Sequence, residues 1–296
     1  MAELGAFFAV ARAPFLLLPV TLVASGAAAA AYEGHFSWSA SLLALVGLVL
    51  LHAAVNILNE ASDMRTGIDF HTLRTPFSGG SGALPAGRMK PETARLFGLT
   101  CAALGGLVGV YFLTRVGLPL VPIMAVGALA VLGYTDFLAR IGFGEVFAGL
   151  GLGALPVWGT ALVQGATPRE TTLAVAVPAF CMTFNLLLLN EFPDEVADRA
   201  GGRSNLVLLL DRRPAAVIYA LVALFVPVSI AGAVALGALP ALSLLALGPS
   251  VLLVGPLRWA LLRPEEAVPI PALGANVVWN LATNLFLAVT LAVSAA

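Results

Sequence analysis

Nine runs of about 20 apolar residues, spread from one end of the chain to the other, leave few architectures open. A helix needs about 20 residues to cross a bilayer core. A membrane β-barrel would show segments of about 10 residues with alternating polarity, and the sequence has none. Buried in lipid, backbone groups must bond within their own segment. The expectation is therefore an all-α polytopic membrane bundle of about nine transmembrane helices. The spans are placed at 13–31, 40–58, 93–114, 118–136, 144–163, 171–190, 214–236, 239–261 and 272–294. Composition agrees. Of 296 residues 60% are hydrophobic and 10% charged, against about 25% charged in a soluble domain. A soluble core helix can mimic one such run, but not nine. The first run lacks a basic lead-in and a small-residue cleavage site, so it reads as a retained helix. Cys101 and Cys181 fall inside spans and read as small core residues.

The positive-inside rule sets the orientation. With nine spans, thirteen of the fifteen basic residues fall on one side, and only Arg115 and Arg169 on the other. That side is the cytoplasm, which gives a multi-pass protein of the inner (cytoplasmic) membrane with its N-terminus inside. A net charge of −1 carries no suggestion of nucleic-acid binding.

Two acidic segments stand out, at the ends of the second and sixth spans and therefore on the same cytoplasmic side. The first carries Asn56, Asn59, Glu60, Asp63, Arg65, Gly67 and Asp69. The second carries Asn190, Glu191, Asp194, Glu195, Asp198, Arg199, Gly201, Gly202 and Arg203. Asn56, Asn59 and Asp63 occupy one narrow helical arc, and Asn190, Asp194 and Asp198 share one face at i, i+4 and i+8. Pro193 marks a break from the sixth span, so Asp194–Asp198 is expected to begin a separate turn. The offset of about 134 residues between segments reads as two pseudo-repeated halves, a common device in membrane folds.

Clustered carboxylates repel one another and are costly near lipid. A divalent cation with oxygen ligands is their natural counter-charge, and Mg²⁺ typically takes one or two carboxylates plus substrate phosphates. Arg65, Arg74, Arg199 and Arg203, interleaved among the acids, suit a diphosphate through bidentate contacts. The plain alternative is a pair of solvated loops whose charges merely pair with each other. Lower in weight is the Gly-rich stretch after Arg74, whose backbone N–H groups offer an anion cradle or form a flexible lid. His35, His52 and His71 show no ligand spacing. Asn276, Asn280 and Asn284 form a polar stripe that helix–helix hydrogen bonding explains.

These segments resemble the UbiA superfamily of intramembrane prenyltransferases, and within it most closely the 1,4-dihydroxy-2-naphthoate branch of menaquinone biosynthesis. The first segment is similar to that branch's N-D-x-x-D-x-x-x-G-x-D motif, carried by Asn59, Glu60, Asp63, Gly67 and Asp69, with Glu60 where Asp is usual. The second is similar to the family's second acidic motif, with Asn190 in place of a common Asp, then Asp194, Asp198 and the pair Gly202 and Arg203. Tyr134 with Thr135, and Gly142, Gly144 and Glu145, resemble further signatures, and Arg12 resembles a pocket-facing basic residue of the first helix. The resemblance implies a single prenyltransferase domain over 1–296, with a cytoplasm-facing cavity. In it two Mg²⁺ ions would hold the diphosphate of a prenyl donor, served by Asn59, Asp63 and Asp69 and by Asn190, Asp194 and Asp198. Arg12, Asn56, Arg65, Arg74, Thr135 and Arg203 would bind substrate, and Asp63, Asp194 and Tyr134 would act in catalysis. An aromatic quinone precursor would accept the prenyl group while the tail lies toward membrane lipid. A porphyrin-type or glycerol phosphate acceptor is the alternative within this chemistry. A membrane transporter is the alternative outside it, although a transporter would carry charges deep within several spans.

Overall fold

The computed structural model describes residues 4–72, 74–167 and 169–296. Eight of its helices are long and apolar enough to cross a membrane: α1 (Ala13–Tyr32), α2 (Trp38–Thr66), α3 (Pro91–Val116), α5 (Gly144–Val163), α6 (Glu170–Ala200), α7 (Arg212–Ala235), α8 (Ala241–Leu262) and α9 (Ile270–Ala295). The ninth expected span is present as a shorter apolar helix, α4 (Leu118–Leu132). No strand occurs among the described residues. The chain is a multi-pass helical membrane bundle.

Local chemistry sets the helix ends. Ser37 caps α2, its side chain accepting from the Ala40 N–H at 3.3 Å. Proline opens α3 at Pro91, where a missing N–H costs nothing. Gly67, at φ 81°, stops α2 in the left-handed conformation that glycine tolerates.

The most enclosed helix is α6, which packs against α1, α5, α7 and α9; α3 is the least enclosed and lies along α2. Small residues let backbones approach closely, as expected where lipid gives no hydrophobic drive between helices. A Cβ on Gly26 of α1 would sit 2.5 Å from the Val157 carbonyl oxygen of α5, and one on Gly153 of α5 2.6 Å from that of Ala179 in α6. Large apolar side chains such as Leu107, Leu221 and Val228 point outward, as a lipid-facing surface requires.

Three boundaries differ from expectation, and all three bear on the site. α2 continues to Thr66, so Asn59, Glu60, Asp63 and Arg65 lie on the helix itself rather than in a following loop. α6 continues through Pro193 to Ala200, so no separate turn begins at Asp194. Arg212 secures this stretch. It donates to the Phe192 carbonyl oxygen at 3.3 Å and to Glu195 Oε2 at 2.9 Å, and lies over the Phe192 ring. α4 ends at Leu132, short of the expected 136. The Phe137 and Leu138 N–H groups both return to the Gly133 carbonyl oxygen, folding residues 133–138 into a turn that brings Tyr134 to the bundle interior.

Candidate active site

At the end of the bundle where α2 and α6 emerge, the two acidic faces meet. Arg203 joins them. Its guanidinium donates to Asp198 Oδ1 at 3.2 Å, to Asn59 Oδ1 at 2.9 Å, and to Asp63 Oδ1. Burial opposes its charge, but Asp63 and Asp198 outweigh that cost and hold it firmly protonated. Asn59 Nδ2 donates to Asp63 Oδ2 at 2.9 Å, so one turn of α2 presents a pre-oriented amide and carboxylate. Asn205, at the start of the short helix Leu206–Leu210, donates to Asp198 Oδ2 at 3.0 Å and accepts from the Leu208 N–H.

The third carboxylate of the first motif arrives on the short helix Ile68–His71 that follows Gly67. Asp69 is buried. Burial first, and then the nearby Asp63 charge, push its pKa up to about 6. Gly80 is why it fits: a Cβ there would lie 3.2 Å from Asp69 Oδ1, and the residue adopts φ 72°. Ile68 packs against the far end of α6, where a Cβ on Gly201 would stand 2.1 Å from Ile68 Cγ1.

Glu60 takes a different part. Its Oε1 accepts from the Ser81 N–H at 2.7 Å and its Oε2 from the Ser81 hydroxyl at 2.5 Å. The Gly-rich stretch is thereby strapped across the cavity mouth. Arg12 holds the other side of that strap, donating to the Phe77 carbonyl oxygen at 3.0 Å. Arg12 itself sits at φ 51°, ψ 54°, a left-handed conformation uncommon for a non-glycine residue. Burial lowers its pKa, against the pull of Glu60, Asp194 and Asp63. Glu145 holds the segment after α6 with one oxygen, its Oε1 accepting the Leu206 N–H at 2.6 Å.

One cavity of about 200 Å³ gathers these groups. Arg12, Asn56, Asn59, Asp63, Asp69, Tyr134, Asn190, Asp194, Asp198 and Arg203 all line it. Asn56 is held by donating to the Ala11 carbonyl oxygen at 3.0 Å. Tyr134 is raised above the ordinary phenol range, by burial first and by Glu191 next, so it enters the site as a neutral hydroxyl. Gly144 leaves room for it, since a Cβ there would lie 3.6 Å from the Tyr134 oxygen.

Four side chains expected to contact substrate lie outside the lining, among them Arg199, which is exposed and pairs with Glu195 at 3.3 Å. Arg65 points to the outer surface and pairs with Asp136 at 2.7 Å, both side chains more than half exposed. On a helix, Arg65 stands two residues from Asp63 and so faces away from it. Arg74 is exposed and donates to the Asp69 carbonyl oxygen at 2.7 Å, fastening the strap. Thr135 touches the site only through Asn59, donating to its Oδ1 at 3.2 Å. Ser81, Asn205 and a deeper set of polar residues carry no motif of their own and escape sequence reasoning, although the N-cap spacing of Asn205 with Leu208 is readable.

Carboxylate and amide oxygens make up the donor set, which suits a hard cation. Asp194 Oδ1 is buried without a hydrogen-bond partner, so it retains capacity for a ligand. Among the described residues, no three histidine, cysteine or carboxylate side chains converge closely enough to hold an ion alone. The oxygen donors and the unpartnered Asp194 Oδ1 fit Mg²⁺ bound jointly by a few carboxylates and a substrate phosphate.

Lipid-facing helices here enclose a cavity lined by both carboxylates and arginines. The chain belongs to the UbiA prenyltransferase family, whose model matches residues 17–294. It is similar to the 1,4-dihydroxy-2-naphthoate octaprenyltransferase of Bacillus subtilis (strain 168), at 26% identity over 182 residues. That match covers 60% of this chain and 57% of the relative, so the chain spans somewhat over half of that relative's length. The enzyme of the same name from Mycobacterium tuberculosis (strain H37Rv) is 29% identical over 217 residues, 71% of each chain. Among solved structures, one of digeranylgeranylglyceryl phosphate synthase superposes with a TM-score of 0.62 at 15% identity, covering 99% of this chain and 98% of that one. A UbiA homolog from Archaeoglobus fulgidus bound to DMAPP and Mg²⁺ superposes with a TM-score of 0.56 at 13% identity, covering 96% and 99%. At such identities the structural likeness is one of fold.

Proposed function

We propose that this chain, as a single prenyltransferase domain, transfers a polyprenyl group from a prenyl diphosphate to an aromatic quinone precursor, with 1,4-dihydroxy-2-naphthoate the foremost acceptor. The observation that carries this reading is the Arg203 guanidinium held between Asp63 and Asp198, which joins both acidic motifs in one cavity. The two curated relatives bear the matching name.

Asn59, Asp63 and Asp69 on one side, and Asn190, Asp194 and Asp198 on the other, would hold Mg²⁺. When bound, the ion neutralises diphosphate charge and eases departure of the leaving group. Arg203 and Arg12 present fixed donors where negative charge develops as the allylic C1–O bond breaks and its electron pair leaves with the diphosphate. The electron-rich ring carbon of the acceptor then forms the bond to C1, and its proton passes to the released diphosphate, which restores the aromatic ring. Tyr134, a neutral aromatic at the cavity wall, turns its ring or its hydroxyl to this centre and favours the allylic cation. The strap fixed by Glu60 and Arg12 excludes water, which would otherwise capture that cation. The basic residues crowd the motif side of the membrane, so the site faces the cytoplasm of a cell inner membrane.

The test is prenyl transfer by purified protein in lipid nanodiscs, given prenyl diphosphates, dihydroxynaphthoate and Mg²⁺, with product mass as the readout. Product is expected from the natural sequence and none from Asp63→Ala or Asp194→Ala. Full activity in both variants would sink the assignment.

A further inference from the structure

About two helical turns into the membrane from the acidic groups, the same cavity carries a second polar level. His52 on α2 stands seven residues before Asn59, and Thr183 on α6 stands seven residues before Asn190. Seven residues are nearly two turns, about 10 Å of rise, so each lies below its asparagine on the same helical face. Asn280 of α9 joins them, and all three line the cavity. Each is at least nine-tenths buried, and His52 Nε2, Thr183 Oγ1 and Asn280 Nδ2 have no hydrogen-bond partner.

Leaving a buried donor or acceptor unpaired is costly, and within a lipid-embedded bundle bulk water offers no relief. Three such atoms on three helices around one cavity are a poor arrangement for stability alone. Asn280 is also held in place: its Oδ1 accepts from Asn284 Nδ2 at 2.9 Å, which leaves its N–H groups as the free function. Asn276, one turn earlier, behaves differently. It accepts from the Tyr219 hydroxyl at 2.9 Å and donates to the Asn185 carbonyl oxygen. The asparagine stripe of α9 thus divides, Asn276 fastening helices and Asn280 meeting the cavity.

We infer that His52, Thr183 and Asn280 form the floor that recognises a ring hydroxyl of the aromatic acceptor, an inference that rests on the prenyl-transfer reading. The three groups are an imidazole, a hydroxyl and an amide, none of them a fixed charge at this level. They suit a phenolic hydroxyl, which both donates and accepts, better than a carboxylate or phosphate, which the arginines at the mouth attract. An isoprenoid tail offers them nothing. Leu18, Leu152, Leu186 and Leu281, which also line the cavity, give a flat ring apolar walls. The acceptor then lies beneath the diphosphate, with its hydroxyl on the floor and its ring edge toward the donor's C1.

The experiment compares the full chain in nanodiscs with its His52→Leu, Thr183→Val and Asn280→Leu variants. Each is given Mg²⁺, a prenyl diphosphate, and either 1,4-dihydroxy-2-naphthoate or its analogue lacking the 4-hydroxyl. The floor predicts a rise of roughly tenfold in acceptor KM, the loss of about one hydrogen bond. The donor KM stays within about twofold by the same scale, and the preference for the dihydroxy compound shrinks. Acceptor-induced elevation of Tm, measured without donor, should likewise weaken in the variants, which keeps the binding question independent of turnover. Variants with unchanged acceptor KM and preference overturn the floor, as does a fall in Tm alone, which would mean that trapped water satisfies the three groups. If the natural sequence makes no product with any aromatic acceptor, the transfer reading fails. The floor itself fails if neither acceptor raises Tm.

Discussion

Arg203 is the residue whose removal tells most. Its guanidinium is the only partner that holds Asp63 and Asp198 together among the described ion pairs. A point charge cannot bridge three oxygens in a plane, so Arg203→Lys keeps the charge but loses the fork. Arg203→Met leaves two buried carboxylates facing each other without their shared counter-charge, a loss of about 3–5 kcal/mol. The expected outcome is a fall in kcat/KM of at least about 100-fold for both variants. Tm should drop more for Met than for Lys, as read by thermal unfolding in nanodiscs. Equal Tm values would mean that the carboxylates find another partner. Helical spacing makes most of this site legible in the sequence: Asn56, Asn59, Asp63, Asn190, Asp194 and Asp198 repeat at three and four residues and do face one cavity. Arg65 shows the limit of a charged segment as a guide. It sits among the same acids, yet its position on the helix turns it outward to Asp136. His52 and Thr183 are readable only through their shared seven-residue offset from Asn59 and Asn190, because a single polar residue in an apolar span usually has a packing role.

Elements fix what single residues cannot. The strap between α2 and α3 depends on Glu60, which occupies the second position of the first motif, beside the proposed Mg²⁺ ligands, and spends both oxygens on Ser81. The two roles separate experimentally. Glu60→Ala should raise the donor KM by about fivefold, since hydrogen bonds to a charged group contribute about 1.5–3 kcal/mol and part of that holds the strap. It should also speed proteolytic cleavage within residues 74–84. The Mg²⁺ concentration for half-maximal rate should stay where it is; a large upward shift would make Glu60 a ligand instead. The end of α6 has its own constraint at Gly201, against which Ile68 packs. Gly201→Val overfills this contact at about 1–3 kcal/mol, lowering Tm and moving Asp69 away from the second motif. Adding Ile68→Ala should restore much of both Tm and activity. The continuity of α6 through Pro193 is not readable from sequence, because the contacts that secure it come from Arg212, beyond the next turn of chain.

For the whole molecule, the decisive property is the side of the membrane to which the cavity opens. Both motifs, the strap and the loop bearing Arg88 lie at one end of the bundle, because α2 ends and α3 begins there. Arg115 closes α3 at the opposite end. A polyanionic diphosphate cannot cross lipid unaided, given what a buried charge costs, so the end that opens to the donor decides where the enzyme draws its substrate. Arg88 and Arg115 are both exposed, while the natural cysteines Cys101 and Cys181 are buried. Single Arg88→Cys and Arg115→Cys variants can therefore be labelled with a membrane-impermeant thiol reagent against a low background. Intact cells should label Arg115→Cys and spare Arg88→Cys, and inside-out vesicles should reverse the pattern. The opposite result would place both acidic faces outside the cell, where the basic residues gathered around them would run against the charge asymmetry that orients membrane helices.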